Sequence, residues 1–229
     1  MSDVCTIDGL DASSSAGQAF DPGPGKHVLF FGDPMCSWCW GFEPELQQLA
    51  DLSAGRAQFQ VVMGGLRPGT REPWDASMRA YIRHHWEEVQ AKTGQPFDFT
   101  RFNDADFIYD TEPTCRAVVA VRQSNPKLAL DMYKVLQRAF YVENKDINSP
   151  DVLAALATQI GIDETQFRIQ FDSAEVRDKV ASDFRRTQAF GVQGFPSVLC
   201  AEGGQYAFLA LGYRTFASMR DDFSSWLDA

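Results

Sequence analysis

Residues 30–44 read Phe-Phe-Gly-Asp-Pro-Met-Cys-Ser-Trp-Cys-Trp-Gly-Phe-Glu-Pro. An apolar run leads into this stretch and a helical pattern leaves it, so Cys36 and Cys39 fall at a strand-to-helix junction. Spaced three apart at a helix start, both sulfurs share one turn. The unpaired N–H groups and positive dipole end there favour a thiolate on Cys36. A thiolate beside a second thiol is what thiol–disulfide exchange requires: one sulfur attacks and the other resolves the mixed disulfide. Cys36, nearest the helix start, is expected to be the nucleophile and the more exposed sulfur. Cys39, one turn in, is expected to be the partly buried resolving thiol.

Working outward, residues 27–31 form a short continuous apolar run, the pattern of a strand buried on both faces. Residues 36–52 are expected to form the helix after it, kinked by Pro44. Residues 59–63 repeat the strand pattern and close on Gly64-Gly65, completing a βαβ unit. From about residue 73 the spacing turns helical, over 78–92, 114–123, 128–141, 150–160 and 163–170. Ser149-Pro150-Asp151 is a helix start with proline near the first turn. A helix over 174–190 ends at Gly191. Residues 196–201 and 206–211, joined by Gly203-Gly204, read as an antiparallel hairpin. Residues 215–227 form a closing helix, with Phe216, Met219, Phe223 and Leu227 at helical spacing.

Composition limits the function classes. With 229 residues, 45% hydrophobic and 23% charged, the chain can bury a full core. The net charge of −10 argues against nucleic-acid and anionic-membrane partners, both of which want basic surface. No apolar run approaches the ~18 residues that a membrane span needs. Five cysteines leave one over after any pairing; Cys5, Cys115 and Cys200 stand alone, so this is not a disulfide-stapled scaffold. The opening residues lack the basic patch, apolar stretch and cleavage site of a signal peptide, and a reducing cytoplasm is the expected compartment. A lone Cys-x-x-Cys can be half of a zinc site, but zinc wants a second pair, and none exists in the sequence. His84-His85, about 100° apart on a helix, make poor joint ligands, so no metal is expected.

The element order is βα, β, a helical block, then α, ββ and α. That is a thioredoxin fold, class α/β, with an all-helical domain inserted after the second strand of the βαβ unit. The expected division is a flexible arm or edge-covering segment over 1–25, a thioredoxin-like domain over 26–72 and 174–229, and the helical insert over 73–173. Four segments carry a family likeness: Asp33-Pro-Met-Cys-Ser-Trp-Cys-Trp-Gly-Phe42, Thr93-Gly-Gln-Pro-Phe97, Arg138-Ala-Phe-Tyr-Val-Glu-Asn-Lys-Asp-Ile147 and Gly191-Val-Gln-Gly-Phe-Pro-Ser-Val198. Over roughly residues 26–227 the chain resembles the DsbA-type thioredoxin-fold family, in particular its cytoplasmic branch of predicted protein-disulfide isomerases and FrnE-like proteins. The first and last segments belong to the fold's chemistry; the middle two mark the subfamily.

The resemblance implies a thiol–disulfide oxidoreductase, disulfide isomerase- or reductase-like, acting through the Cys36-Ser37-Trp38-Cys39 redox pair on protein thiols. It implies no bound cofactor beyond the redox-active Cys36–Cys39 disulfide, with glutathione or thioredoxin as candidate electron donor. In this fold the proline at position 196 is cis and faces the cysteines. Phe195 before it would line the substrate groove and offer backbone hydrogen bonds to a substrate strand. Ser37 and Trp38 tune the site, the Ser37 hydroxyl toward the thiolate and the Trp38 indole as an apolar platform for an unfolded peptide; Trp40 is expected in the core. DsbA has a histidine between its cysteines and this chain has none, so its disulfide is expected to be less oxidising. Phe30 stands six before Cys36, where thioredoxin has a buried Asp and DsbA a Glu. Glu43, four after Cys39 on the same helical face, is the candidate proton relay in its place.

Two further functions share the fold. Kappa-class glutathione transferases and chromene-carboxylate isomerases have the same inserted-helix plan but typically lack the cysteine pair and use a serine near its first position. A redox-sensing protein adaptor, as in regulated proteolysis, needs no turnover.

Overall fold

The computed structural model describes residues 5–6 and 23–229. Most of the arm expected over 1–25 lies outside these. Strand β1 is the pair Cys5–Thr6, and β2 spans Lys26–Gly32. Helices α1 (Ser37–Gly41) and α2 (Glu43–Ser53) follow, then β3 (Gln58–Met63). The helical block comprises α3 (Ala76–Thr93), a 3-10 helix (Phe99–Asn103), α4 (Glu112–Ser124), a second 3-10 helix (Pro126–Leu128), α5 (Ala129–Tyr141), α6 (Pro150–Gln159) and α7 (Glu164–Asp172). The chain then returns through α8 (Ala174–Ala189), β4 (Gly194–Phe195), β5 (Ser197–Glu202), β6 (Gln205–Leu211) and α9 (Phe216–Asp228).

The main sheet runs β3-β2-β5-β6. β2 pairs parallel with β3, Phe30 opposite Val61, and antiparallel with β5, Phe30 opposite Val198. Central in the sheet, β2 is buried from His27 to Gly32, which explains its unbroken apolar run. The chain is therefore an α/β protein of thioredoxin fold whose helical block enters between β3 and α8.

One helix was expected over 36–52, and two are found. Proline 44 has no N–H to give to the carbonyl of Trp40, four residues back, so the ladder breaks at Phe42. Gln95 Nε2 takes up that carbonyl at 3.0 Å. Pro44 then sits in the first turn of α2, where a missing N–H is harmless.

The helical block is joined to the sheet by a buried ion pair. Asp183 on α8 receives Arg122 of α4 through both Nη atoms, at 2.8 and 3.1 Å, and also accepts from Met63 N at 2.9 Å. Arg122 Nη1 donates as well to Val61 O at 2.6 Å. Within the block, Trp86 is fully buried among the rings of Phe97, Phe99, Phe102, Phe140 and Tyr141, whose centroids lie 4.8–6.0 Å from its own. Trp86, Phe140 and Tyr141 are core residues.

Candidate active site

Cys36 is the N-cap of α1, with extended backbone, and its Sγ accepts a hydrogen bond from Cys39 N at 3.4 Å. No disulfide joins Cys36 to Cys39. Cys36 Sγ also donates to the carbonyl of Phe195 at 3.6 Å, and the Phe195–Pro196 peptide bond is cis. The thiol turn and the loop before β5, 159 residues apart in sequence, thus meet sulfur to carbonyl. Two strand-end glycines permit this. A Cβ on Gly64 would lie 2.0 Å from Cζ of Phe195, and one on Gly32 would lie 2.5 Å from Cζ of Phe30 and 2.7 Å from the Tyr133 hydroxyl.

Asp33 organises the approach to the turn. Its fully buried carboxylate accepts from Met35 N at 2.9 Å and Leu66 N at 2.8 Å, and the Cys115 thiol donates to it at 3.4 Å. Burial raises its pKa above the ordinary carboxylate value, against the pull of these donors. The same burial, with Asp33 alongside, pushes the Cys115 thiol well up. The Asp33 carbonyl receives both Cys36 N and the Tyr133 hydroxyl at 3.0 Å.

Tyr133, on α5 and fully buried, neighbours Cys36 and Cys39. Its one proton goes to the Asp33 carbonyl. Burial and the neighbouring thiols raise its pKa well above the ordinary tyrosine value. Tyr109 closes the same wall by donating its hydroxyl to Met35 O.

Several expectations need correction. Cys36 is not the more exposed sulfur, because both cysteines are fully buried. Trp38 is not an exposed platform: it is 2% exposed, and Tyr213, just after β6, lies across it at 6.0 Å between centroids. The Phe195 ring does not line an open groove; it is buried against Gly64, leaving its backbone on the cysteine side. Glu43 does not continue the helix of Cys39, since the break at Phe42 separates them, and its carboxylate is 2.9 Å from Lys134 Nζ. Ser37 is buried within α1. Trp40 is core, stacked on Tyr141 at 5.9 Å and donating Nε1 to Pro96 O at 3.0 Å. The two segments that marked only a subfamily, around Gln95-Pro96 and Tyr141, therefore hold the turn that carries the thiols.

Asp33, Tyr109, Cys115 and Tyr133 escaped sequence reasoning as site residues. The one local signal was the Asp33-Pro34 dipeptide between strand and cysteines, a turn former whose carboxylate can bond backbone N–H two residues on.

The sequence profile of the DSBA-like thioredoxin domain matches residues 27–221. The chain belongs to that family. Among solved structures it is similar to a candidate protein disulfide isomerase from Nitrosomonas europaea, at 35% identity and a TM-score of 0.83 over 89% of this chain and 98% of the other. It is also similar to DsbM, a cytosolic disulfide reductase from Pseudomonas aeruginosa, at 26% identity and a TM-score of 0.71 over 88% and 97% of the two chains. A curated sequence relative is the ClpXP adapter protein SpxH of Halalkalibacterium halodurans, 21% identical over 202 residues, which are 85% of this chain and 63% of that protein. This DSBA-like domain thus matches just under two thirds of the adapter's length. No helix among the described residues is long and apolar enough to cross a membrane.

Proposed function

We propose that the chain is a thiol–disulfide oxidoreductase, of disulfide reductase or isomerase type, acting on protein thiols in the cytoplasm. The observation that carries this is the Cys36 sulfur, held between the Cys39 N–H and the Phe195 carbonyl with a second thiol one turn away. In the reducing direction the Cys36 thiolate attacks a substrate disulfide, forming a mixed disulfide and releasing one substrate sulfur as thiolate, which takes up a proton. Cys39 then loses its proton and attacks Cys36 Sγ. The second substrate sulfur leaves as a thiol, and the Cys36–Cys39 disulfide remains. Two molecules of glutathione restore the dithiol and leave as glutathione disulfide. DsbM has been solved with glutathione, which favours this donor over thioredoxin.

In this scheme Phe195 and Pro196 position the substrate backbone, while Trp38 and Ser37 form the wall beside Cys36. Glu43 is paired with Lys134, and Tyr133 is the side chain set beside the resolving Cys39, where its hydroxyl shapes the surroundings of that thiol. We take residues 73–173 as the inserted unit that delivers Tyr133, with 26–72 and 174–229 as the thioredoxin-like domain.

A redox-sensing adaptor is the second reading, favoured by the relationship to SpxH adapter proteins. Replacing Cys36 by serine separates the two. Glutathione-dependent reduction of a disulfide-bonded test protein should fall to the uncatalysed rate in Cys36→Ser, with the fold unchanged by circular dichroism. Full retention of turnover would overturn the oxidoreductase. An adaptor would show no turnover even in the parent protein, and its partner binding would survive the substitution.

A further inference from the structure

β1 occupies the edge that the proposed reaction needs. It runs antiparallel to β4, with Cys5 opposite Phe195 and Thr6 opposite Gly194. β4 is outside the four-stranded sheet, and among the described residues β1 is its sheet partner. Opposed residues in an antiparallel pair have Cα atoms about 4.5–5.5 Å apart. The residue facing Cys5 is therefore the one whose carbonyl lies 3.6 Å from Cys36 Sγ. Addition of an extended strand to a free edge is a general mode of peptide recognition, with backbone hydrogen bonds giving affinity. Here the added strand belongs to the chain itself and sets a cysteine in that register, while Cys36 is fully buried. Two independent features coincide on Phe195: the strand pairing and the contact to the thiol.

We propose that β1 is a built-in substrate strand, and that Cys5 enters thiol–disulfide exchange with Cys36 within one molecule. The inference rests on Cys36 being the nucleophilic sulfur of the function proposed above. Starting from the Cys36–Cys39 disulfide, the Cys5 thiolate attacks Cys36 Sγ. A Cys5–Cys36 bond forms and the Cys36–Cys39 bond breaks. The electron pair leaves on Cys39, which takes up the proton that Cys5 gave up. One disulfide and one thiol stand on each side, so no outside oxidant is consumed. Return attack by Cys39 frees Cys5. A protein substrate must displace β1 to reach Cys36, and the Cys5–Cys36 form is capped against other thiols until Cys39 or glutathione opens it.

The test uses the full chain with Cys39→Ser, which removes the return attack, treated with oxidised glutathione and read by intact mass and peptide mapping after alkylation. Glutathione first joins Cys36 and is then expelled as the thiol by Cys5, so most chains should carry an internal Cys5–Cys36 link and no glutathione. The Cys5→Ser, Cys39→Ser double variant should instead keep one glutathione on Cys36. If the single variant also keeps glutathione on Cys36 with Cys5 alkylated, the built-in substrate is overturned while Cys36 remains the nucleophile. A link that joins two chains rather than one overturns it equally. If Cys36 takes up neither partner, the proposed function fails together with this inference. Cys39→Ala repeats the measurement where serine disturbs the fold.

Discussion

The two sides of the Cys36–Cys39 turn are built from different material. Its front is backbone: the Cys39 N–H at the start of α1, the Phe195 carbonyl and the edge of β4. Its back is side chain: Asp33 in the turn itself, with Tyr133, Tyr109 and Cys115 brought from the helical block. Backbone groups at a strand end keep their place under most substitutions, so the front needs only two cysteines, a proline and two glycines. The back depends on single hydroxyls and one carboxylate in a buried wall, where each lost partner leaves a buried group unpaired. The front should therefore govern whether exchange occurs, and the back how stable the turn is and how the resolving thiol reacts.

The largest effect that could break this division is on the front, where Cys36→Ser is expected to lose all turnover above background while leaving the thermal midpoint near that of the parent. Next is the knot that holds the back in place: Trp86→Ala should lower stability by about 3–5 kcal/mol in denaturant unfolding. A change under about 1 kcal/mol there would mean that the helical block does not support the turn.

Asp33 sharpens the comparison further. Asp33→Ala strips the acceptor from the buried N–H groups of Met35 and Leu66, at about 1–3 kcal/mol for each group left unpaired. The pH dependence has a defined sign. Burial raises this carboxyl above its ordinary 3.8, so the folded state holds the proton to higher pH than the unfolded chain. That contribution is fully present below the unfolded value and is lost as pH rises through the folded one. Asp33→Asn cannot titrate and should flatten that part of a stability–pH curve; an unchanged curve would remove Asp33 from the account.

Smaller again, Tyr133→Phe keeps the ring against Phe30 at 5.4 Å and deletes one hydroxyl, for about 0.5–1.5 kcal/mol. Its expected signature is kinetic. Mixed disulfide should accumulate because resolution by Cys39 slows, with the attack by Cys36 unaltered, as stopped-flow traces of the two phases would report. The smallest effect concerns Cys200, whose pKa burial raises to about 12. It should stay neutral and resist alkylation at pH 8 in the folded protein, and react once the chain is denatured.

The difference between front and back also explains what could be read from the sequence. The apolar runs of β2 and β3, the cysteine pair and the Phe195-Pro196 step are local patterns, each visible within ten residues. The back wall is not local: Tyr133 reaches Asp33 across 100 residues, Cys115 across 82, and Tyr109 reaches Met35 across 74. On a helix, a buried tyrosine that faces a thiol has the same spacing as one that faces leucine. The burial of Trp38 was hidden for a similar reason, since its cover, Tyr213, follows the last strand. Glu43 looked continuous with Cys39 because α-helical spacing was carried through Phe42; Pro44 in the same stretch marks where that continuity ends.

The central claim is that Cys36 and Cys39 form a working redox pair, and its most direct test is their reduction potential, from equilibration in glutathione buffers followed by tryptophan fluorescence. A reversible two-electron transition, absent in Cys36→Ser and lying below the roughly −120 mV of DsbA, is the predicted result. Failure of any Cys36–Cys39 disulfide to form in oxidised glutathione would contradict it.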